Sequence, residues 1–280
     1  LYGRFDFILA KDGTPKILEF NADTPTSLLE ASVIQWQWKE DVFPECDQFN
    51  GIHEGLVQSW KDIFPKKGEI HFAGALENNE DTGTLQYLAS TAMEAGFSTR
   101  VLDMQALDLQ NGRFFDPAGE LVNRCFKLYP WEWMVDESPD GCLAEMEWLE
   151  PIWKLVMSNK AILATLYELF PDSPYVLPCY LSRPRSGLFC KKPIFSREGH
   201  NVSVVDIRDW EEYVRIAETE GDYNTGAYVY QEYVEPTAYS GRYPVIGSWI
   251  IGGEAAGIGI RENRMEVTDN LSEFVPHIIG

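Results

Sequence analysis

The sequence predicts a mixed fold of the α+β and α/β kinds, with antiparallel and parallel strands in one chain. Three observations predict it: an Asp-Gly turn between alternating strands at 4–21, a strand–helix–strand pattern at 70–101, and two apolar strands at 243–260. A short turn joins antiparallel strands, whereas a crossover helix joins parallel ones. With 280 residues and 45% apolar side chains, the chain is long enough for one large domain or two medium ones.

The opening hairpin runs from Arg4 to Asn21, and its alternation assigns each side chain to a face. Arg4 and Asp6 share a face of the first strand, and Glu19 and Asn21 share a face of the second. Folding the hairpin can bring their polar groups together. The oxygens of Asp6, Glu19 and Asn21 suit Mg²⁺, and an arginine beside them is a natural phosphate contact. A salt-bridged polar face without a metal explains the same alternation.

The segment 21–31 passes from the second strand directly into a helix, with Ser27 and Glu30 in the spacing of a capping box. Together with the Tyr-Gly-Arg-Phe-Asp run at 2–6, it resembles the signature of the glutathionylspermidine synthase family, which consists of ATP-grasp ligases. The resemblance extends to 276–279. It includes the shorter bacterial members provisionally named acid–amine ligases, which lack the amidase domain of the bifunctional synthases. It implies an ATP-grasp-like fold with permuted chain order and a small parallel pre-ATP-grasp unit.

Charge and cysteine content limit the partners and the location. The net charge of −21 argues against nucleic acid or an anionic membrane as a general partner and is compatible with a cationic substrate. The apolar stretch 245–260 is broken by glycines, which favours buried strands over a membrane span. Five cysteines without CxxC spacing, and no visible signal peptide, predict a reduced, cytoplasmic protein. The start at Leu1 without a methionine indicates a fragment with more chain upstream. The oligomeric state is not predicted.

The parallel unit places acidic residues where a ligand is expected. The strand at 70–75 is followed by a polar loop at 77–82, a helix and the strand at 97–101. Ligands tend to bind at the carboxyl ends of such strands, so the acids of this loop are candidates for holding a protonated amine. The family resemblance places Glu80 and Asp81 where the synthases bind spermidine. A solvated helix N-terminus explains the same acids.

Local patterns predict the remaining elements of the first half. Helices are expected at 27–39 and after an Asn50 cap, followed later by a hairpin at 113–122 and a strand at 125–129. The tryptophan- and acid-rich segment 131–151 reads as short helices that link two domains.

The second half carries a lysine on a strand before a polar loop. A helix is expected to open at Ser158 and run to Phe170, and the strand 188–194 precedes the glycine-containing loop 195–201. A strand-borne lysine and a flexible loop can handle phosphates, although lysines beside turns are common. The resemblance implies that Lys160 and Lys192 contact ATP, with Arg197 near the phosphates.

The segment after this loop is expected to hold adenine. We predict a helix at 206–219 and then a strand at 227–236. In ATP-grasp proteins such a strand leads into the hinge between the lobes, and its backbone pairs with adenine. The resemblance assigns this hinge to Gln231, Glu232, Tyr233 and Val234. An edge strand with packed tyrosines is the alternative.

The last strands, 243–251 and 255–260, are expected to complete one antiparallel sheet with the opening hairpin. Arg261 follows them, where the resemblance places an arginine that stabilises the transferring phosphoryl group. A solvent-exposed arginine at a strand end is the plainer interpretation.

These patterns and the resemblance predict an ATP-dependent ligase that joins a carboxylic acid to an amine. The acid, a glutathione-like peptide, would form an acyl phosphate, and an amine such as spermidine would then attack it. Arg4 and Arg261 would stabilise the transferring group. Thr24, Thr26 and Ser27 lie near the metal ligands in sequence and can orient the acid or cap a helix. The alternatives are a non-catalytic nucleotide- or polyamine-binding protein and, more weakly, a glycoside hydrolase.

Five segments are expected along the chain. They are the metal-binding hairpin and helices of the synthetase core (1–68), a parallel substrate-side unit (69–125), linker helices (126–157), a nucleotide lobe (158–236) and strands that return to the core sheet (237–280).

Overall fold

The computed structural model describes residues 1–197, 199–209, 212–221, 223, 226–264 and 272–280. In this part of the chain the strands form four sheets. The first two strands are β1 (Tyr2–Leu9) and β2 (Pro15–Asn21). They pair antiparallel with Arg4 opposite Asn21 and Asp6 opposite Glu19, which confirms the predicted hairpin.

Helices follow the hairpin, but their starts differ from the prediction. A π-helical turn (Glu30–Ile34) leads into α1 (Gln35–Val42), and α2 spans Ile52–Ile63. The capping box is wrong, because Ser27 has a φ of 65° and the turn has no side-chain cap. Asn50 does not cap α2 either, because its Nδ2 donates to the Ser32 carbonyl at 3.0 Å and Gly51 is the N-cap.

The middle of the chain forms the parallel sheet, in the order β4-β3-β8-β9. The predicted crossover is confirmed, because α3 connects the parallel strands β3 and β4. The linker prediction is correct for two short helices but misses β9, which extends this sheet. The bounds are β3 (Glu69–Gly74), α3 (Asn79–Glu94), β4 (Ser98–Asp103), β5 (Asp108–Gln110), β6 (Arg113–Phe115), β7 (Leu121–Val122), β8 (Arg124–Leu128), α4 (Trp131–Glu137), α5 (Pro139–Cys142) and β9 (Glu147–Leu149).

The main hydrophobic core lies where this parallel unit packs against α2 and against residues of the first strand and of the later strand 243–251. Trp60, Phe72 and Phe126 are fully buried there and meet at ring-centroid distances of 5.6–6.3 Å. Strands β5, β6 and β7 form a separate small antiparallel sheet, which contains the predicted hairpin at 113–122.

The next region forms an antiparallel lobe sheet, in the order β10-β14-β11-β12-β13. Its elements are α6 (Lys154–Ser158), α7 (Ile162–Leu169), β10 (Cys179–Tyr180), β11 (Gly187–Pro193), β12 (Ser203–Ile207), β13 (Tyr213–Glu218) and β14 (Tyr228–Glu232). Strand β14 lies between β10 and β11, so it is not an edge strand.

Two helix predictions in this region are wrong. The segment 206–219 belongs to β12 and β13, which pair with Val205 opposite Arg215, while Trp210 and Glu211 lie outside the described residues. Its β-branched and aromatic residues suit a strand, a tendency that the helix prediction undervalued. Ser158 ends α6 instead of opening α7, so Lys160 lies in the turn between the two helices.

The chain returns to the opening hairpin through β15 (Tyr243–Ile251), β16 (Glu254–Asn263) and β17 (Glu273–Val275). The core sheet has the order β17-β16-β15-β1-β2, which confirms the predicted antiparallel sheet. Gly247 on β15 lies opposite Asp6, and Arg261 on β16 lies opposite Val245.

Candidate functional site

Two arginines and one carboxylate form a buried cluster on the core sheet. Arg4 donates from Nε to Asp6 Oδ1 at 2.6 Å and from Nη2 to Oδ2 at 2.8 Å, and Arg261 donates to the same Oδ2 at 2.7 Å. Burial disfavours the charged form of Arg4, but the Asp6 carboxylate outweighs it and raises the pKa of Arg4. The charge of Arg4 lowers the pKa of Arg261. Arg261 is therefore a member of the cluster and not a solvent-exposed strand end.

Glu19 and Asn21 lie beside this cluster on β2. Asn21 Nδ2 donates to Glu19 Oε1 at 3.1 Å, and Lys160 Nζ lies 3.0 Å from Glu19 Oε2. Burial opposes ionisation of Glu19, but the charges of Lys160 and Lys192 outweigh it and hold the pKa of Glu19 well below its usual range. Lys160 also donates to the Ser196 carbonyl at 2.6 Å.

Lys192 lies on the opposite side of this group, on β11. Its ammonium donates to the Leu18 carbonyl at 3.0 Å and to Gln231 Oε1 at 2.6 Å. Only 6% of Lys192 is exposed, and this burial lowers its pKa. The Lys192 ammonium therefore lies against β2 and close enough to Glu19 for their charges to interact.

These charged groups line part of a cleft of about 790 Å³, which we call the apolar cleft. The charged residues of its lining are Asp6, Glu19, Lys160, Lys192 and Glu232. Its other lining residues are mostly apolar, among them Ile8, Leu18, Leu177, Val202 and Val245.

The predicted hinge, residues 231–234, also lines the apolar cleft. Two of its backbone donors already have protein partners. Glu232 N–H donates to the Pro178 carbonyl at 2.7 Å, and Tyr233 N–H donates to the Leu188 carbonyl at 3.0 Å.

Two further clefts continue from the apolar cleft. The polar cleft, of about 830 Å³, shares Glu19 and Gly199 with it. The acidic cleft, of about 870 Å³, shares Thr24, Thr26 and Arg197 with the polar cleft. The shared walls place the three clefts end to end, with the polar cleft in the middle. Arg4, Asn21 and Arg261 also line the polar cleft.

Glu80 and Asp81 line the acidic cleft and also lie in the first turn of α3. The Asn78 side chain caps this helix by accepting from the Glu80 N–H at 2.9 Å. Burial raises the pKa of Asp81. The structure thus places both acids at a helix N-terminus and in a cleft at once. Ser27 is outside the lining of all three clefts, as far as the described residues show, and its carbonyl accepts from Ala31.

Sequence reasoning missed a buried ion pair behind the Thr24–Thr26 segment. Lys127 Nζ donates to Asp23 Oδ1 at 2.7 Å, and the Trp131 N–H donates to Asp23 Oδ2 at 3.0 Å. Burial lowers the pKa of Lys127 and raises that of Asp23, although each charge partly offsets the effect on the other. The pair joins residues 104 positions apart, so no local pattern points to it.

A second missed contact crosses between the lobe and the parallel unit. Arg197 donates to the Glu132 carboxylate of α4, and its guanidinium lies 5.4 Å from the centre of the Trp133 ring. Arg197 lines the polar and acidic clefts, and Glu132 lines the polar cleft. The contact therefore spans the middle of the site.

Among the described residues, no group of three His, Cys, Asp or Glu side chains is placed to bind a metal. The predicted Mg²⁺ ligands are a different set, with two carboxylates and the amide of Asn21. The same part of the chain holds no helix that is both long and apolar enough to cross a membrane.

The antiparallel and parallel sheets together give the chain a fold of the glutathione synthetase-like class. A glutathione synthetase-like effector from Globodera pallida shares the fold with a TM-score of 0.59 and 11% identity, over 100% of this chain and 76% of that one. A provisionally named gamma-glutamylcysteine synthetase from Methylobacillus flagellatus has a TM-score of 0.63 and 10% identity, over 99% and 80%. The chain belongs to the glutathionylspermidine synthase family, because the family model "Glutathionylspermidine synthase preATP-grasp" matches residues 1–280.

Similar proteins include a Haemophilus influenzae protein provisionally named acid–amine ligase, which is 39% identical over 99% of this chain and 74% of its own length. The trypanothione synthetase of Crithidia fasciculata is 28% identical, and the bifunctional glutathionylspermidine synthetase/amidase of Escherichia coli is 27% identical. The chain spans 46% and 49% of these two relatives. The predicted family is confirmed. The predicted enzyme class, a carbon–nitrogen ligase, is confirmed by the names of these family members.

Proposed function

We propose that this protein is an ATP-dependent ligase that joins a carboxylic acid to an amine through an acyl phosphate and releases ADP and phosphate. The observation that carries the proposal is the end-to-end order of the three clefts. Two lysines line the apolar cleft, three arginines line the polar cleft, and two acids line the acidic cleft. That order fits a nucleotide, a transferring phosphoryl group with the acid, and a cationic amine.

The apolar cleft is proposed to bind ATP. Its apolar walls suit adenine, and the hinge formed by Gln231, Glu232, Tyr233 and Val234 runs along it. Because the N–H groups of Glu232 and Tyr233 already have partners, we assign the backbone N–H contact with adenine to Val234. Lys160, Lys192 and Arg197 would face the phosphates, whose negative charge they neutralise.

The hairpin is proposed to hold Mg²⁺. Asp6 and Glu19 lie opposite each other on β1 and β2, and the Asn21 amide contacts Glu19, so the donors are hard oxygens on neighbouring positions of one sheet face. This donor set fits the ion, which when bound would neutralise and align the terminal phosphates. The partners Arg4, Arg261 and Lys160 are the cations that phosphate oxygens would engage.

The polar cleft is proposed as the place of reaction. A substrate carboxylate oriented by Thr24 and Thr26, but not by Ser27, would attack the γ-phosphate, with Arg4 and Arg261 beside the equatorial oxygens. The amine would then attack the acyl carbon from the acidic cleft, where Glu80 and Asp81 hold its distal positive charge. A glutathione-like peptide and a polyamine such as spermidine fit these roles. ADP leaves after the first transfer, and phosphate leaves after the second.

A substrate panel tests this function. The protein is incubated with ATP, Mg²⁺, peptides and polyamines, and amide products are detected by mass together with ADP. We expect one acid–amine pair to give an amide in equal amount to ADP. Asp6→Asn should lower the rate at least about 100-fold, because it weakens both the metal donor set and the arginine cluster. Asp12→Asn, in the exposed hairpin turn, is the matched control and should keep the parent rate.

ADP formation without an amide across the panel, or ATP binding without turnover, would contradict the ligase function. An Asp6→Asn variant as fast as the parent would contradict the metal assignment alone.

A further inference from the structure

Gln231, the first residue of the hinge, has a buried side chain that is hydrogen-bonded at both ends. It is 2% exposed, and its side chain spans two other strands. Its Oε1 accepts from Lys192 Nζ of β11 at 2.6 Å, and its Nε2 donates to the Ile17 carbonyl of β2 at 2.8 Å. A buried amide with both ends hydrogen-bonded is fixed in orientation, because either end would lose its partner if the group turned.

Lys192 reaches the same stretch of β2 by its own contact. Its ammonium donates to the Leu18 carbonyl, one residue beyond the carbonyl that Gln231 holds. The two side chains therefore extend from adjacent strands of the lobe sheet to consecutive carbonyls of the core sheet. The next residue of β2 is Glu19, the carboxylate beside Lys160.

We propose that Gln231 is a positioning residue that fixes the Lys192 ammonium and ties β14 to β2. Through this bridge it sets the place of Lys192 relative to Glu19 before a nucleotide binds. The inference rests on the proposed function, because Lys192 has a phosphate to contact only if the apolar cleft binds ATP. It gives the Gln231 side chain a role toward the phosphates, distinct from a hinge contact with adenine.

The two roles differ in the part of the nucleotide that they affect. A residue that acts through Lys192 changes the affinity for ATP and leaves the affinity for adenosine unchanged, because adenosine carries no phosphate. A residue that contacts adenine changes both affinities by the same factor. The ratio of the two dissociation constants therefore separates a positioning role from a hinge contact.

The experiment measures the dissociation constants of ATP and of adenosine by calorimetry for the full chain and for Gln231→Met. Methionine keeps the length of the side chain and removes both hydrogen bonds. We expect the ATP constant to rise about tenfold and the adenosine constant to change less than twofold. The matched control is Gln48→Met, which removes another buried glutamine, one that donates to the Gln35 and His277 carbonyls and lines none of the three clefts within the described residues. It should leave both constants unchanged.

Each other outcome decides against the inference. Equal losses for ATP and adenosine would make Gln231 a hinge contact, and unchanged constants would give it no part in binding. A loss of the same size in Gln48→Met would make the effect a general one of cutting a buried glutamine. A parent chain that binds no ATP would overturn the proposed function together with the inference. Thermal unfolding verifies that each variant folds, and Gln231→Leu replaces the methionine variant if that one does not.

Discussion

At the scale of single residues, the site is built from charges that are buried in opposite-sign groups. The Asp6 carboxylate accepts from two arginines, Glu19 is stabilised by the charges of two lysines, and Asp23 accepts from Lys127. Isolated charges in these positions would carry a large desolvation cost, so each depends on its partner. Removing one member of a pair should therefore destabilise the protein mainly by leaving its partner as an unpaired charge.

The Asp23–Lys127 pair gives the clearest test at this scale. Both side chains are almost completely buried, so Lys127→Met leaves the Asp23 carboxylate without its countercharge. We expect a loss of about 3 kcal/mol in the free energy of unfolding, measured by urea denaturation. Lys11→Met removes a partner of the exposed Lys11–Glu235 pair and should cost less than about 1 kcal/mol. Equal losses in the two variants would contradict a special role for the buried pair.

At the scale of elements, a glycine on strand β15 leaves the space that the arginine cluster needs. Gly247 lies opposite Asp6, and a Cβ at this position would lie 2.8 Å from Arg4 Cδ. Arg4 is held at its far end by Asp6, so its stem has little freedom to move aside. The strand thus needs glycine here to admit Arg4 against its backbone.

Gly247→Ala is therefore expected to displace Arg4. We expect at least about a tenfold loss in kcat/KM for the ligase reaction with a smaller effect on the melting temperature, because the site is affected more than the core. Gly83→Ala, in helix α3, is the control: the nearest atom to its Cβ is 3.9 Å away. It should keep full activity and gain roughly 0.5–1 kcal/mol from helix propensity. Parent-like activity in Gly247→Ala would show that Arg4 accommodates the methyl group.

Elements with a strong local signal were predictable, and those defined by distant partners were not. The turn at Asp12-Gly13 and the alternation around it sufficed for the hairpin and for the shared face of Asp6 and Glu19, whereas the register came only from the structure. Strand β9 has only three residues and exists because β8 offers a partner. The same limit applies within the site: the lysine strand is visible in the sequence, but the partners of Gln231 and Arg197 come from chain segments far away.

At the scale of the whole molecule, the Arg197–Glu132 contact connects the lobe to the parallel unit across the polar cleft. Both side chains are partly exposed, at 31% and 25%, so the pair contributes little to stability. The contact matters because both side chains line the polar cleft. An arginine that is to reach a phosphate in the proposed function must first leave the Glu132 carboxylate.

Glu132→Gln is thus expected to strengthen ATP binding. The substitution frees Arg197 and removes an acid that would repel the phosphates, so both effects have the same sign. We expect the ATP dissociation constant to fall at least about threefold in calorimetry, with an unchanged melting temperature. Glu137→Gln, on the same helix but bonded to the Tyr129 hydroxyl, should bind ATP like the parent. Weaker binding in Glu132→Gln would mean that Arg197 serves the site from its present position.

The position of β1 inside the core sheet has a consequence for biosynthesis. Strand β1 ends at Leu9 and its inner neighbour β15 begins at Tyr243, so β1 pairs with a strand that is synthesised much later. At about 5–20 residues per second, the nascent hairpin waits on the order of ten seconds or longer with one edge uncovered. The arginine cluster is completed only when Arg261 reaches Asp6, so a polypeptide interrupted earlier in translation carries the hairpin side of the proposed site without Arg261.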